Sequence, residues 1–473
     1  MSLKRFYHPI KYDSLNIAAL GLLLFFSNYC LSSEIQDLTT ELKAIDQKHQ
    51  NFSTKFYSKF SSHASIQLQS FQNIDSLEKV ISSNIGKDRT LATGLIMKNL
   101  PMLKNNYDSL AIIEIMKILL EQNEFNSAKK LFELLKQDGD IDILSNITYL
   151  FANFSFQRKE WAQTLNYLDN AVNDLSGEDY NHALLIKGIS LQKLAEHRKS
   201  ITEYEKISLS SKYYPSARIN MAIANIRQGW WTDGHNLIKN LLQKSEGNSL
   251  NRLYLILGYS FLKQEYYRNS RESFRNVGLN SPYTNRALLG IALTAANQKD
   301  YIGALNAVRI LKKKNTSDLP VDESHLLMPY FYEKLQQHTT ASTGYSQAVS
   351  YYQRRVAGIY NTLQSEIKPS QYPIILNGIV TTNINNNLVK FSPTYPNYFF
   401  NNYLVLKSYS TQLAKINNQK LNNDFLQLKT EYETIIIKMI NNLLKQKIEQ
   451  LNSYMDQSRF GLARLYDNNL VNK

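Results

Sequence analysis

The stretch NRLYLILGYSFLKQEYYRNSRESFRNVGLNSP, residues 251–282, carries the clearest structural pattern in the chain. Its large and small residues recur at the spacing of one helix face, first in one half and then in the other, so it predicts two helices joined by a turn. The residues that carry the pattern are Tyr254, Leu257, Gly258, Phe261, Tyr267, Ser270, Phe274, Val277 and Pro282. Gly258 and Ser270 are small, which lets two packed helices approach closely where they cross.

The same pattern recurs along the chain at intervals of 34 or 36 residues. The small residue of the first helix recurs as Ala152, Gly188, Ala222, Gly258 and Ala292. The residue near the turn recurs as Phe125, Trp161, His197, Trp231, Tyr267 and Tyr301. The small residue of the second helix recurs as Ala128, Thr164, Ser200, Gly234, Ser270 and Ala304. Met116 replaces the small residue in the first copy. In a degenerate seventh copy, Pro329 predicts a kink or a late start of the first helix. These copies predict stacked helix pairs, because one pair alone cannot bury its apolar face.

These motifs resemble the tetratricopeptide repeat (TPR) over residues 109–318, and over 109–340 when the seventh copy is included. The resemblance implies an all-α fold, a right-handed TPR superhelix (α-solenoid) of six to seven repeats. Residues 280–290 and 323–334 look like segments of a family of exported proteobacterial TPR proteins whose function is not established. That narrower resemblance implies no catalytic residues.

The flanking regions predict further helices. We expect residues 34–108 to form an N-terminal cap over the apolar end of the solenoid. In residues 341–473, one heptad stripe consists of Tyr345, Val349, Tyr352, Val356, Ile359 and Leu363, and a second begins with Leu421, Phe425, Leu428, Tyr432, Ile435 and Met439. The stripes predict a C-terminal long-helix hairpin within the chain, with self-association as the alternative. Between them, the prolines and asparagines of residues 369–397 predict an extended linker.

Residues 1–33 have the pattern of a secretory signal peptide. A basic leader with Lys4 and Lys11 precedes an apolar run over residues 15–26, which is too short to span a bilayer. The alternatives are a short membrane anchor, a buried helix and a lipoprotein signal at Cys30. Because Cys30 is the only cysteine, the mature chain would contain none, which suits an oxidising compartment. We therefore expect an exported, periplasmic protein, either free or associated with the membrane.

Composition and motifs argue against several kinds of chemistry. The 473-residue chain has a net charge of +14, and with export this favours an acidic protein, an anionic lipid or a cell-wall polymer over nucleic acid as partner. No motif for nucleophilic catalysis, phosphate binding or zinc occurs in the sequence. Asp138, Asp140 and Asp142 have the first spacing of a calcium loop, but Ile143 and Tyr149 stand where its Gly and Glu belong. We predict no enzyme activity, no cofactor and no metal.

The concave groove of the solenoid is the remaining candidate site. In TPR proteins the first helices line this groove, and their thirteenth position is here Gln157, Lys193, Arg227 and Lys263 in consecutive repeats. The other candidates at inward positions that the resemblance implies are Tyr149, Phe156, His182, Arg252 and Tyr259, with the apolar residues Ile189, Ile226 and Leu262. An acidic or C-terminal peptide could place carboxylates on the cations and side chains on the aromatic rings. The alternative is that these cations are only solvated.

The sequence thus predicts a non-catalytic periplasmic scaffold that binds a partner protein or peptide in this groove. Two other classes stay open. A helical-solenoid wall-cleaving enzyme, or its accessory subunit, would need a separate domain with a catalytic carboxylate, and none is evident in the sequence. Membership of an envelope assembly or a TonB-type energisation system is suggested by exported TPR proteins in general and by no particular residue.

Overall fold

The computed structural model describes residues 32–62, 68–85, 88–136, 140–314, 318–376, 379–385, 387–391 and 397–471. The predicted signal peptide, apart from its last two residues, and Asp138 of the rejected calcium loop lie outside the described residues. The described residues form twenty α-helices and one small sheet, and the predicted all-α solenoid fold is confirmed. Among the described helices, none combines the length and the apolar character that crossing a membrane requires.

Fourteen helices form seven consecutive pairs, and we call the first helix of each pair an A helix and the second a B helix. The pairs are α5 (Ala111–Glu121) with α6 (Phe125–Leu135), α7 (Ile141–Gln157) with α8 (Trp161–Asp169), α9 (Gly177–Lys193) with α10 (His197–Glu205), α11 (Tyr214–Gln228) with α12 (Trp231–Leu242), α13 (Gly247–Lys263) with α14 (Tyr267–Arg275), α15 (Thr284–Asn297) with α16 (Tyr301–Lys312), and α17 (Leu319–Lys334) with α18 (His338–Gln364). The predicted late start of the seventh A helix is wrong, because α17 continues through Pro329. Gly344 of α18 leaves room for that proline ring, since a Cβ at Gly344 would lie 2.9 Å from the Cβ of Pro329.

Six helices and the sheet flank these pairs. The helices are α1 (Ser32–Phe60), α2 (Ile74–Ile85), α3 (Arg89–Lys98), α4 (Leu100–Asn105), α19 (Asn397–Ile416) and α20 (Gln419–Val471), and the strands are β1 (Ile374–Leu376), β2 (Ile379–Ile384) and β3 (Asn387–Lys390). The strands form an antiparallel meander in the order β1-β2-β3, in which Thr381 is opposite Ile374 on one side and Lys390 on the other. The segment expected to be an extended linker therefore contains a sheet, because its β-branched residues favour strands in spite of the asparagines around them.

The small residues lie at the helix crossings, as the repeat pattern predicts. The hydroxyl of Ser270 donates a hydrogen bond to the carbonyl oxygen of Gly258, 2.8 Å away. A Cβ at Gly258 would lie 2.5 Å from the ring of Phe274, and one at Gly188 would lie 2.7 Å from Cδ1 of Tyr204. Both distances are far below van der Waals contact. The aromatic ring of the B helix therefore packs directly on the backbone of the glycine in the A helix.

The partner on the B helix explains why some repeats have glycine and others alanine at this position. The buried pairs, sixteen residues apart, are Ala152–Leu168, Gly188–Tyr204, Ala222–Ile238, Gly258–Phe274 and Ala292–Val308. Glycine occurs where the partner is aromatic, and alanine occurs where it is aliphatic. In a close-packed interior, a ring on one helix leaves no space for a methyl group on the other.

Each A helix meets its B helix at one residue in the left-handed backbone region. The seven residues are Asn123, Lys159, Ala195, Gly229, Glu265, Lys299 and Gln336, with φ between 59° and 82°. The recurrence of one backbone shape shows that all seven pairs use the same turn. Only Gly229 lacks a Cβ, and the other six residues adopt a conformation that costs about 1–2 kcal/mol for an L-residue.

We expect the substitution Ala195→Gly to stabilise the protein by about 1 kcal/mol, because glycine adopts a positive φ without this cost. Ala195 is exposed, so little packing is lost. Urea denaturation of the purified variant measures the change. The matched control is Ala357→Gly, at an exposed site within α18, which should destabilise by about 1 kcal/mol. Loss of stability in both variants would contradict strain at the turn.

Two compact units divide the described chain. The N-terminal unit comprises residues 33–241 and 362–445, and the C-terminal unit comprises residues 242–361 and 446–471. Helix α20 contributes its first part to the N-terminal unit and its last part to the C-terminal unit.

The C-terminal unit contains the predicted hairpin, formed by α18 and the last part of α20. The ring centroids of Tyr352 and Tyr454 are 5.9 Å apart, and the ring of Tyr345 packs against the backbone of Gly461. From the first contact to the second, the residue number falls by seven along α18, from Tyr352 to Tyr345, and rises by seven along α20, from Tyr454 to Gly461. That is the register of an antiparallel heptad pair.

In the N-terminal unit, the first part of α20 pairs with α1 instead. The interhelical ion pairs are Lys48–Glu431 at 2.8 Å, Lys55–Asp424 at 3.4 Å and Lys438–Glu41 at 2.6 Å. As the residue number rises along α1 it falls equally along α20, so the two helices are antiparallel. Exposed ion pairs contribute only about 0–1 kcal/mol each. The buried rings of Phe52 in α1 and Phe425 in α20, with centroids 6.2 Å apart, supply apolar contact between the two helices, and Tyr409 of α19 packs on Phe52 as well.

Candidate binding surface

All eight residues predicted to line the groove lie on A helices. Tyr149 and Phe156 are on α7, His182 and Lys193 on α9, Arg227 on α11, and Arg252, Tyr259 and Lys263 on α13. The first five belong to the N-terminal unit and the last three to the C-terminal unit. Their side chains divide into two groups, since the aromatic ones are engaged in packing and the cationic ones are exposed.

Tyr149 and His182 connect the A helices of neighbouring repeats. The hydroxyl of Tyr149 is 2.7 Å from Nδ1 of His182, and the imidazole centroid lies 4.7 Å from that of Tyr213. Burial lowers the pKa of His182 and raises the pKa of Tyr149, so the neutral form of each group is favoured. The contacts that these two side chains make hold successive repeats together and leave little of them for a ligand.

Tyr259 and Phe156 have comparable packing roles. The hydroxyl of Tyr259 donates a hydrogen bond to the backbone carbonyl of Arg286 in the next A helix, at 3.0 Å, and its ring packs edge-on against Phe274. Phe156 packs against Trp161, with ring centroids 5.6 Å apart. The predicted aromatic part of the site therefore contributes to the solenoid itself.

The three predicted cations are exposed at the carboxyl ends of their A helices. Lys193 is the last residue of α9, Arg227 the last but one of α11, and Lys263 the last of α13. A positive charge at this end of a helix is favoured by the helix dipole. The pKa of Lys159 is lowered mainly by burial and secondly by the positive charge of Lys193. The pKa of His197 is lowered mainly by burial and secondly by the positive charge of Arg227. In the N-terminal unit, positive potential thus extends from the helix ends to the neighbouring turns.

Among the A helices of the N-terminal unit lies a cavity of about 310 Å³, which we call the A-helix pocket. Side chains of α5, α7 and α9 line it, so every wall comes from an A helix. Its polar lining includes Glu114, Lys117, Glu121, Tyr149, Gln157 and Asp179, and its apolar lining includes Leu120 and Phe154. Two predicted inward positions, Tyr149 and Gln157, are therefore part of a real concavity.

The A-helix pocket is acidic although the whole protein is basic. Lys117 is 3.2 Å from Glu114 on the same helix and offsets its charge. Neither Glu121 nor Asp179 forms an ion pair with any residue in the described part of the chain. The pocket therefore keeps two uncompensated carboxylates beside apolar side chains, a combination that suits a cationic group on an aliphatic stem.

The carboxylates of Glu121 and Asp179 were not predicted from the sequence, for a physical reason. The first repeat is the least regular copy, because the buried Met116 fills the place of the small residue. Without a small residue to fix the register, the inward positions of α5 could not be assigned. Asp179 comes from the first turn of α9, three residues before the predicted His182. Only the stacking of three A helices brings Glu121 and Asp179 to one opening.

A buried polar junction fixes the first two repeats to the flanking helices of the N-terminal unit. Arg158, at the end of α7, pairs with Asp46 of α1 at 2.5 Å, and its guanidinium lies 3.8 Å from the ring centroid of Tyr398 in α19. Burial lowers the pKa of Arg158, but the hydrogen bond and the charge of Asp46 outweigh it and the net shift is upward. At the turn of the first pair, the buried carboxylate of Glu124 accepts a hydrogen bond from Tyr409. These contacts hold the turns of the repeats that form the A-helix pocket.

No protein-family model matches the sequence, and no curated protein matches it. Similarity is found instead among solved structures.

The chain is similar to the C-terminal part of a TPR repeat-containing protein from Cytophaga hutchinsonii, with 13% identity and a TM-score of 0.44, over 50% of this chain and 94% of that one. It is also similar to the apo form of RapI, with 12% identity and a TM-score of 0.42, over 84% and 99% of the two chains. The apo form of the quorum sensor NprR from B. thuringiensis shares 11% identity, with a TM-score of 0.34, over 74% and 97%. The assignment of a TPR-like fold to this chain rests on its own seven helix pairs.

Proposed function

We propose that this protein is a non-catalytic scaffold of the periplasm that binds a partner protein or peptide on the surface of its A helices. The observation that carries the proposal is the A-helix pocket, a cavity of about 310 Å³ walled only by A-helix side chains, in which Glu121 and Asp179 have no ion-pair partner among the described residues.

The partner carries both signs of charge. The exposed Lys193 and Arg227 attract carboxylates, as the sequence analysis expects, whereas the A-helix pocket attracts a cation. Asp179 and Lys193 stand at opposite ends of α9, about 20 Å apart at the rise of an α-helix. An extended peptide of about six residues spans that distance, so a short segment with a basic residue near one end and acidic residues near the other matches this surface.

The periplasmic location rests on the leader of residues 1–33, whose basic and apolar parts have the order of a secretory signal. Cleavage after Ser32 or Ser33 leaves a mature chain without cysteine. Cell fractionation, with mass spectrometry of the mature amino terminus, tests the location. An uncleaved chain in the cytoplasm would contradict it, without bearing on the binding surface.

We expect simultaneous reversal of the two exposed cations of the N-terminal unit, K193E/R227E, to weaken partner capture at least tenfold, since charge-assisted hydrogen bonds to carboxylates are the strong ones in the recognition of an acidic segment. Capture is measured by crosslinking in intact cells, followed by quantitative pull-down. Circular dichroism confirms that the variant stays folded.

The matched control reverses two exposed cations on B helices of the same unit, K129E/K239E, which changes the net charge by the same amount. Its capture should stay close to that of the wild type. Equal loss in both variants would mean that net charge, rather than the A-helix surface, selects the partner. Unchanged capture by both would remove the proposed role of the basic residues.

A further inference from the structure

A second cavity lies away from the A-helix pocket, in the N-terminal unit. It has a volume of about 520 Å³ and opens between the end of α1, the junction of α3 and α4, and helix α6. We call it the lysine pocket, after Lys98, Lys104 and Lys130, which are among the residues that line it. Its volume is in the range of ordinary small-molecule sites, about 300–1,000 Å³.

The lining of the lysine pocket has two parts of different chemistry. Met97, Leu100, Pro101 and Leu134 supply its apolar lining, which we call the floor, and none of the described residues that line the cavity is acidic. Over the described parts of the chain, Lys98, Lys104 and Lys130 form no ion pair. Three uncompensated ammonium groups around one opening create a positive potential that attracts an anion.

The floor selects among anions. A small inorganic ion would use the lysines and leave the apolar floor in water. A hydrocarbon chain covers that floor and gains about 0.8 kcal/mol for each methylene group that it buries. An acidic peptide is a weaker match, because Asp and Glu side chains offer few methylene groups with which to cover this apolar lining.

We propose that the lysine pocket binds a single-chain anionic amphiphile, with the carboxylate or phosphate head on the three lysines and the start of the acyl chain on Met97, Pro101 and Leu134. The site is separate from the A-helix surface and does not depend on the proposed scaffold function. The lysines steer the head and the floor orders the chain, so affinity depends on both head charge and chain length.

The test titrates the mature protein with dodecyl phosphate, below its micelle concentration, by isothermal calorimetry. We expect saturable binding at one site, at least tenfold weaker binding of octyl phosphate, and no binding of dodecyltrimethylammonium. The variant K98Q/K104Q/K130Q should bind dodecyl phosphate at least tenfold more weakly. Lys98 and Lys130 are exposed and Lys104 is half-buried, and thermal denaturation checks that the variant folds.

The control variant is Lys129→Gln, which removes an exposed lysine of α6 outside the pocket and should leave binding unchanged. Leu134→Ser should reduce the difference between the octyl and dodecyl chains. The proposal is overturned if the cationic detergent binds equally well, if the triple variant binds like the wild type, if a Glu-rich peptide competes as strongly as dodecyl phosphate, or if only anionic vesicles and no monomeric amphiphile bind.

Discussion

The substitution Arg158→Met should destabilise the N-terminal unit by about 3–5 kcal/mol, because it leaves a largely buried carboxylate without its main partner. The side chain of Arg158 is 8% exposed and that of Asp46 is 16% exposed. In the variant, Asp46 retains only the hydrogen bond that Asn402 donates, at 2.8 Å. The stacking of the guanidinium on Tyr398 is lost as well. Urea denaturation followed by circular dichroism measures the change.

Two further variants separate the buried charge from the loss of side-chain volume. Adding Asp46→Leu to Arg158→Met should recover most of the stability, since a well-packed apolar pair often replaces a buried ion pair at little cost. Lys117→Met, which breaks the exposed pair with Glu114, should change stability by no more than about 0.5 kcal/mol. If Arg158→Met and Lys117→Met had similar effects, the junction would not be the buried contact described above.

The substitution Gly188→Ala should destabilise the protein by about 2 kcal/mol, in the range for overpacked cores. The added methyl group meets the ring of Tyr204, which is fully buried. That ring cannot turn away freely, because its hydroxyl donates a hydrogen bond to the side chain of Gln192 at 3.0 Å. Thermal denaturation of the purified variant gives the loss.

The second-site change Tyr204→Leu should rescue Gly188→Ala, because it recreates the alanine and leucine pair of Ala152 and Leu168. Alone, Tyr204→Leu opens a cavity and leaves Gln192 without a partner. The two changes together should therefore cost less than their sum by at least about 1 kcal/mol. Gly358→Ala, where a Cβ would meet nothing within 4 Å, is the control and should stabilise by about 1 kcal/mol. Strict additivity of the first two changes would contradict the proposed coupling between the paired positions.

Much of the fold could be predicted from the spacing of small and large residues. A helix pair buries one apolar stripe of fixed period, so the register of Gly188, Ala222, Gly258 and Ala292 is visible in the linear chain. The heptad spacing also predicted an intrachain hairpin, and the end of α20 does pair with α18. The stripe that begins at Leu421 packs against α1 instead, which the spacing did not predict. Periodicity of this kind depends only on local geometry.

Other features of the fold have no local signal. The left-handed turn residues include Ala195 and Glu265, neither of which favours a positive φ. The ion pair between Lys48 and Glu431 joins residues 383 positions apart. Both helices carry many exposed charges, and the sequence does not say which of them meet.

The candidate site shows the same division. The exposed cations Lys193 and Arg227 follow from the repeat register alone. The packing role of Tyr149 depends on His182 from the next repeat, and the acidic character of the A-helix pocket depends on Glu121 and Asp179 from two different helices.

The amino-acid sequence establishes the helix pairs and their number to within one, because these follow from side-chain size repeated at a helical period. The charge of the A-helix pocket, the pairing of α1 with α20 and the lysine pocket arise only when distant segments meet. Each of these features depends on side chains that are far apart in the chain, so no short stretch of sequence predicts it.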